Sequence, residues 1–386
     1  MFERWISVPS EKSCLIIGPR RCGKTSLLRH RYPDLRYVTL DDLDLLDWAK
    51  RDPKGFVTNL QGTAVIDEIQ RLPLLTVAVK YAIDNENGRF LMTGSSSIGL
   101  LDAAADTLAG RINIQALPTL CWGEQLGRPT HSIFNDQAAF TETRTARRAL
   151  RQALSYGLFP EVAALKKDSD RQSLLQNYKN TYFTRDLMQL SNIENLDGLL
   201  GIFHHLARSI GSHLEVSNFA RESDLSHQTA KKYLNALSQA QLAFKLYGFQ
   251  YGPAKRYLKA SKTYFSDNGI LSSLNVAVSI GQQIENFVIS ELEKRRKLGF
   301  IKAEHLYYYK SAAGHEIDLI FETNGCLHAC EIKATERPGP RDFRNLRNFK
   351  DRLNRPVKRF LFYMGDRYEN HDGVIMIPIA SLYRGR

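Results

Sequence analysis

The chain has 386 residues, with 53 Lys and Arg against 41 Asp and Glu, 43% hydrophobic residues and a mean hydropathy of −0.34. That length exceeds one ordinary core and predicts two or three domains. No apolar run approaches the ~20 residues that span a bilayer, and Met1-Phe2-Glu3-Arg4-Trp5 carries no signal-peptide pattern, so a soluble cytoplasmic protein without a membrane partner is expected. Five cysteines with no C-x-x-C pair exclude a disulfide scaffold, and Cys326 and Cys330 read as core residues rather than half a zinc site.

Along the chain, the apolar run Cys14-Leu15-Ile16-Ile17 reads as a buried strand. It leads into Gly18-Pro19-Arg20-Arg21-Cys22-Gly23-Lys24-Thr25, which fills every fixed position of the nucleotide-binding loop G-x-x-x-x-G-K-[ST], and Ser26 opens a helix-compatible segment behind it. Glycines let consecutive N–H groups curl around phosphates at a helix N-terminus. Lys24 is placed to reach the outer phosphates of ATP, and the Thr25 hydroxyl to ligate Mg²⁺. About forty residues on, Thr63-Ala64-Val65-Ile66 is a second apolar strand ending in Asp67 and Glu68. Asp67 is the expected support for Mg²⁺ and Glu68 the group that polarises the attacking water. A third strand ends in small hydroxyl residues, making Thr93 or Ser95 a candidate polar sensor of the outer phosphate. Arg111 precedes another apolar strand and reads either as an arginine finger for a neighbouring subunit or as a surface arginine.

Strands alternating with helical segments predict a parallel α/β sheet for the first part of the chain. Helical periodicity then takes over in 147–156, 173–188 and 196–210, a connector or lid whose one candidate for chemistry is Arg185. Residues 213–260 read as a winged helix. Its second helix, from His227 to Gln239, carries Gln228, Thr229, Lys231 and Lys232 on the early turns, residue types that contact bases and phosphates. Segments 242–247 and 256–259 are the expected wing strands, with Lys255, Arg256, Lys259 and Lys262 near the tip; DNA contact and subunit packing are both open uses.

The charge is uneven: residues 251–386 hold 23 Lys and Arg against 15 Asp and Glu, which favours a polyanionic partner. This part also holds Glu285 on a helical run, Asp318 on a strand, and Glu331 with Lys333 on the next, the last two on one face by period-two alternation. Two carboxylates on adjacent strands are placed to share a Mg²⁺ while a lysine orients or deprotonates water, as metal-dependent phosphodiester hydrolysis requires. Binding without cleavage is the other use of such a domain.

In their order, these motifs resemble the bacterial and archaeal AAA-type ATPases that carry a C-terminal restriction-endonuclease-like domain of the PD-(D/E)xK type. The resemblance rests on Gly18 to Thr25, Ile66-Asp67-Glu68-Ile69-Gln70-Arg71-Leu72-Pro73, Leu91-Met92-Thr93-Gly94-Ser95-Ser96, Gly110-Arg111 and Tyr182-Phe183-Thr184-Arg185-Asp186-Leu187. It continues through the winged-helix segment, Lys262 to Gly269, Glu285-Asn286-Phe287, Glu316-Ile317-Asp318 and Glu331-Ile332-Lys333. Asp267-Asn268 departs from the Asp-Thr or Asp-Ala usual before that glycine. The resemblance implies an α/β chain in four parts: an AAA-type P-loop domain (1–145), a helical connector (146–212), a winged helix (213–262) and a restriction-endonuclease-like domain (263–386). It also implies a homo-oligomer with nucleotide at subunit interfaces, Arg111 acting in trans, and association with DNA, including branched forms such as forks and four-way junctions. The expected function is therefore a Mg²⁺-dependent ATPase that couples ATP hydrolysis to DNA remodelling or processing. A nucleotide-switched scaffold acting on a protein partner and an ATP-regulated nuclease are the alternatives.

Overall fold

A computed structural model of the chain describes residues 2–85, 88–95, 107–190, 193–250, 261–311 and 313–386. The chain divides into two units, one of Arg4–Thr119 with the short segment Gln239–Gln241, the other of Leu120–Ser238 and Leu242–Arg386 together with the first three residues.

In the first unit, strands β1 (Ser13–Gly18), β2 (Arg36–Thr39), β3 (Thr63–Asp67), β4 (Arg89–Ser95) and β5 (Ile112–Ala116) form one sheet in the order β2-β3-β4-β1-β5, all parallel. Near-continuous apolar runs suit strands covered on both faces, and β1, β3 and β4 are almost wholly buried. The connecting helices are α1 (Lys24–Arg31), α2 (Leu43–Arg51), α3 (Pro53–Asn59) and α4 (Leu75–Asn85). The Asp42 side chain accepts from the Asp44 and Leu45 amides and starts α2; Asp52 does the same for α3 through the Gly55 amide. Leu46, Phe56, Leu75 and Val79 then pack with Leu15, Ile66, Phe90 and Met92. The strand order leaves β4 between the loop-bearing β1 and the carboxylate-bearing β3, so their C-terminal ends converge, which is where ligands bind in open parallel sheets.

The second unit opens with helices. Phe140–Tyr156, Asp168–Tyr178 and Leu196–Arg208 are α-helical, and Lys179–Asp186 is a π-helical stretch. His227–Gln239 forms a helix where the sequence predicts one, preceded by a shorter helix, Val216–Glu222. An eight-stranded mixed sheet follows from β6 (Ala243–Gly248), β7 (Lys262–Phe265), β8 (Tyr307–Lys310), β9 (Glu316–Thr323), β10 (Cys326–Lys333), β11 (Val357–Tyr363), β12 (Glu369–His371) and β13 (Val374–Pro378), in the order β12-β13-β11-β10-β9-β8-β6-β7. β6, read from sequence as a wing strand, pairs with β7 and also with β8, so it extends the C-terminal sheet. Lys262, expected near an exposed wing tip, is buried on β7, where it pairs with Glu316 and lies over the Tyr308 ring. Segment 256–259, with Lys255 and Arg256, lies outside the described residues, as does the side chain of Arg185.

Helix Ile280–Lys297, capped by Ser279 and Gln282, carries a buried charge cluster. Glu291 accepts from the Trp122 amide at 3.0 Å and pairs with Lys294 and Arg295, while Lys294 also reaches the Leu120 carbonyl at 3.0 Å. Buried charges persist only when paired and fully hydrogen-bonded, and this cluster meets that condition. Among the described residues no helix is long and apolar enough to cross a membrane.

Candidate active site

β1 delivers the loop into a tight space. A Cβ on Gly18 would stand 2.1 Å from the Leu117 carbonyl oxygen and 2.9 Å from Cys22 Sγ, so only glycine fits there. Arg21 (φ 63°) and Gly23 (φ 94°) adopt left-handed backbone ahead of α1, the kind of conformation from which anion-binding backbone concavities are built. For Arg21 that conformation costs roughly 1–3 kcal/mol, a strain of the kind that clusters at ligand clamps. Pro19 and Cys22 are buried, Arg20 is half-buried, and Ser26 is exposed on the first turn of α1. The buried Lys24 donates from Nζ to the Gly18 and Pro19 carbonyls, both at 3.0 Å, and so is folded back onto its own loop. Arg4, also buried, secures the loop from outside: Nη1 donates to the Cys22 carbonyl at 2.7 Å, and Nη2 to those of Pro118 at 2.7 Å and Thr119 at 3.5 Å.

Asp67 sits at the end of β3, buried and ringed by hydroxyls. Its Oδ2 accepts from Thr25 Oγ1 at 2.8 Å and from the Tyr37 hydroxyl at 2.5 Å, and its Oδ1 accepts from Thr93 Oγ1. The Tyr37 phenol is pushed up to about 12 by burial and by its bond to the carboxylate, against the Arg29 guanidinium 4.0 Å over its ring. Glu68 has left-handed backbone (φ 58°), and its amide donates to Thr93 Oγ1 at 3.3 Å. Its carboxylate accepts from Gln70 Nε2, while Gln70 Oε1 accepts from the Ser95 amide at 3.2 Å. The structure therefore gathers Lys24, Thr25, Asp67, Glu68, Thr93 and Ser95 at one end of the sheet. Arg111 pairs instead with Asp84 at the C-terminal end of α4, Nε to Oδ1 at 2.7 Å, with both side chains about one-third exposed. The Arg111 bond holds the Asp84 carboxyl below its usual range.

Sequence reading did not single out Tyr37, Gln70 or Arg4. The residues fit ATP with Mg²⁺: the backbone cradle admits no Cβ at Gly18, Thr25 and Asp67 offer hard oxygen donors, and among the described residues buried Ser95 Oγ has no hydrogen-bond partner.

In the second unit, the register of β9 and β10 pairs Cys330 with Leu319, so Glu331 falls opposite Asp318 one step further on. The Ile332 amide donates to Asp318 Oδ2 at 2.9 Å; Glu331 accepts from Lys333 Nζ at 2.8 Å and Asn345 Nδ2 at 3.4 Å. Glu285, on the helix Ile280–Lys297, accepts from the Tyr264 hydroxyl at 2.8 Å. Burial and then the Asp318 charge push the Glu285 carboxyl up to about 7 and that of Glu331 up to about 8. Among the described residues no group of three His, Cys, Asp or Glu stands close enough to hold a metal ion. On the helix His227–Gln239, Gln228, Lys231 and Lys232 are exposed. Thr229 is half-buried, its amide bonded to the Ser226 hydroxyl at 3.1 Å, and Ala230, Tyr233, Leu234 and Leu237 form the inner face.

Residues 10–126 match the family described as an AAA domain, which with the parallel sheet supports an α/β P-loop ATPase fold of the AAA type for this part of the chain. Residues 147–282 and 280–382 match two families each described as a domain of unknown function. An uncharacterized protein of Mycobacterium tuberculosis is 28% identical over 336 residues, covering 84% of this chain and 70% of its own. One of Methanocaldococcus jannaschii is 28% identical over 362 residues, covering 86% and 80%. Among solved structures, Drosophila ORC bound to DNA is 11% identical, covering 75% of this chain and 90% of that one, with a TM-score of 0.24. A signal-transduction ATPase with a tetratricopeptide repeat sensor from Pyrococcus horikoshii is 13% identical, covering 77% and 46%, also at 0.24. At those scores neither structure bears on the fold or function of this chain.

Proposed function

We propose that this chain is a Mg²⁺-dependent ATP hydrolase that acts on DNA. The observation that carries the reading is the meeting of Thr25 on the phosphate loop, Asp67 at the end of β3 and Thr93 on β4, with Glu68 adjoining. Lys24, released from the Gly18 and Pro19 carbonyls, and the loop amides bind the phosphates. Thr25 and Asp67 hold the metal ion, which when bound neutralises the phosphate charge. Glu68 accepts the proton of the attacking water once Gln70 lets its carboxylate go, and Thr93 keeps Asp67 and the Glu68 backbone in register. Glu68→Gln is expected to retain nucleotide binding and lose turnover; a variant turning over ATP at the wild-type rate sinks the assignment.

The reading extends to a homo-oligomer in which Arg111 completes a neighbouring subunit's site. The Asp84 partner holds it by an exposed pair, which is weak and easily exchanged. DNA binding is supported by the exposed Gln228, Lys231 and Lys232 and by the positive balance of residues 251–386. Steady-state ATP turnover with single-stranded, duplex, forked and four-way DNA tests the coupling: stimulation by one form supports remodelling, whereas indifference to all four supports a nucleotide-switched partner of another protein. A second reading, an ATP-regulated nuclease, draws on the Asp318, Glu331 and Lys333 grouping, with Glu285 nearby. It requires Mg²⁺- or Mn²⁺-dependent cleavage that Glu331→Ala abolishes.

A further inference from the structure

The alternation of β10 gives its two sides different chemistry. Glu331 and Lys333 point to one face of the sheet, Cys326 and His328 to the other. On that second face lies a cavity of about 400 Å³, within the range of small-molecule sites. His328 is part of its lining and is stacked between Phe321 (centroids 4.8 Å apart, planes at 14°) and Phe360 (5.6 Å, 10°), with Phe134 edge-on to the stack. Burial holds the imidazole down at about 4, so it stays neutral at physiological pH and is able to donate and accept hydrogen bonds. Phe134 and Phe300 give the cavity aromatic wall. Exposed Lys302, Lys358 and Arg386 line the same cavity, and among the described residues their side chains have no acidic partner. Serine, threonine and asparagine side chains supply most of the remaining lining.

We propose that this cavity binds a nucleoside monophosphate, its base against the aromatic wall and its phosphate among Lys302, Lys358 and Arg386. Three cations at one cavity, without an acidic partner among the described residues, favour a phosphate over a single carboxylate. Phe134 and Phe300 bring aromatic surface to a base, and the hydroxyl and amide groups serve its edge. The site owes nothing to the phosphate loop, which lies in the other unit, nor to Asp318, Glu331 and Lys333 on the opposite face of the sheet.

The test is calorimetric titration of the full chain carrying Lys24→Ala, which silences the phosphate loop, with AMP, GMP, CMP and UMP in turn at low salt. Saturable one-to-one binding of at least one is expected, weakened about tenfold by Lys358→Ala or Lys302→Ala, since each removes a charge-assisted contact. Both lysines are exposed, so equal melting temperatures with and without the substitution exclude unfolding as the cause. Inorganic phosphate is expected to bind at least tenfold more weakly than the best nucleotide. No saturable heat from any of the four up to millimolar concentration overturns the proposal. So does phosphate binding as tightly as the nucleotide, or an affinity that neither lysine changes.

Discussion

Replacing Arg4 by Met should unfasten the Gly18–Thr25 loop without replacing any residue of the loop itself. The guanidinium is buried and donates to three carbonyls, two of them at 2.7 Å. A hydrogen bond from a charged donor contributes about 1.5–3 kcal/mol, and carbonyls left without a donor in a dry site add their own desolvation cost. The methionine side chain fills much of the volume and no longer has to be desolvated as a charge, which returns part of the loss. The net expectation is a destabilisation of about 3 kcal/mol, a large fraction of the 5–15 kcal/mol typical of a domain. Urea unfolding followed by fluorescence of Trp5 and Trp48, both in the same unit, measures it. Nucleotide affinity, read with a fluorescent ATP analogue at low denaturant, should fall at least tenfold as the Cys22 carbonyl loses its anchor. Arg4→Lys should recover less than half the stability, because a single ammonium cannot span carbonyls that a planar fork reaches together. A methionine variant within about 0.5 kcal/mol of wild type, with unchanged affinity, would refute the reasoning.

Thr93→Val keeps the side-chain shape but removes the hydroxyl shared by Asp67 and the Glu68 amide. ATP turnover should drop at least tenfold while nucleotide affinity changes less than threefold, and an unaltered turnover number would dismiss Thr93 as a sensor. Glu285 and Glu331 have folded values near 7 and 8, raised above the ordinary 4.5. Between those limits the folded chain binds more protons than the unfolded one, so stability falls as pH rises from about 5 to about 8. Glu331→Gln should flatten that slope in thermal melts, and an equal slope in both proteins would contradict the burial of the acid. For DNA, the Lys231→Ala, Lys232→Ala pair should lower the slope of log affinity against log salt by roughly 1.8, about 0.9 for each phosphate no longer neutralised. An unchanged slope would remove this helix from the interface.

The phosphate loop and the Asp67-Glu68 pair were legible because their chemistry is written in short fixed spacings next to apolar strands. Tyr37, Gln70 and Arg4 were not, for separate reasons. Tyr37 reaches Asp67 because β2 lies beside β3, and strand order is a tertiary outcome. Gln70 reads as an ordinary turn residue until Glu68 takes up left-handed backbone and the Ser95 amide comes within 3.2 Å. Arg4 lies 114 residues from Pro118 in sequence, beyond the reach of any local pattern. In the second unit the helix His227–Gln239 was legible from the sequence. The placement of β6 was not, because alternation specifies which face of a strand is buried and not which sheet receives it. Lys262 shows the same limit: charge suggested solvent, but the acidic partner that lets it lie inside, Glu316, is supplied by a strand more than fifty residues away.

The bond from Arg4 to the Thr119 carbonyl has a topological meaning beyond its energy. These residues bound the long segment that makes up nearly all of one compact unit, so its two ends lie within reach of one arginine side chain. A module with adjacent ends is suited to circular permutation, to excision and to transplantation between hosts, because joining or opening it there strains little.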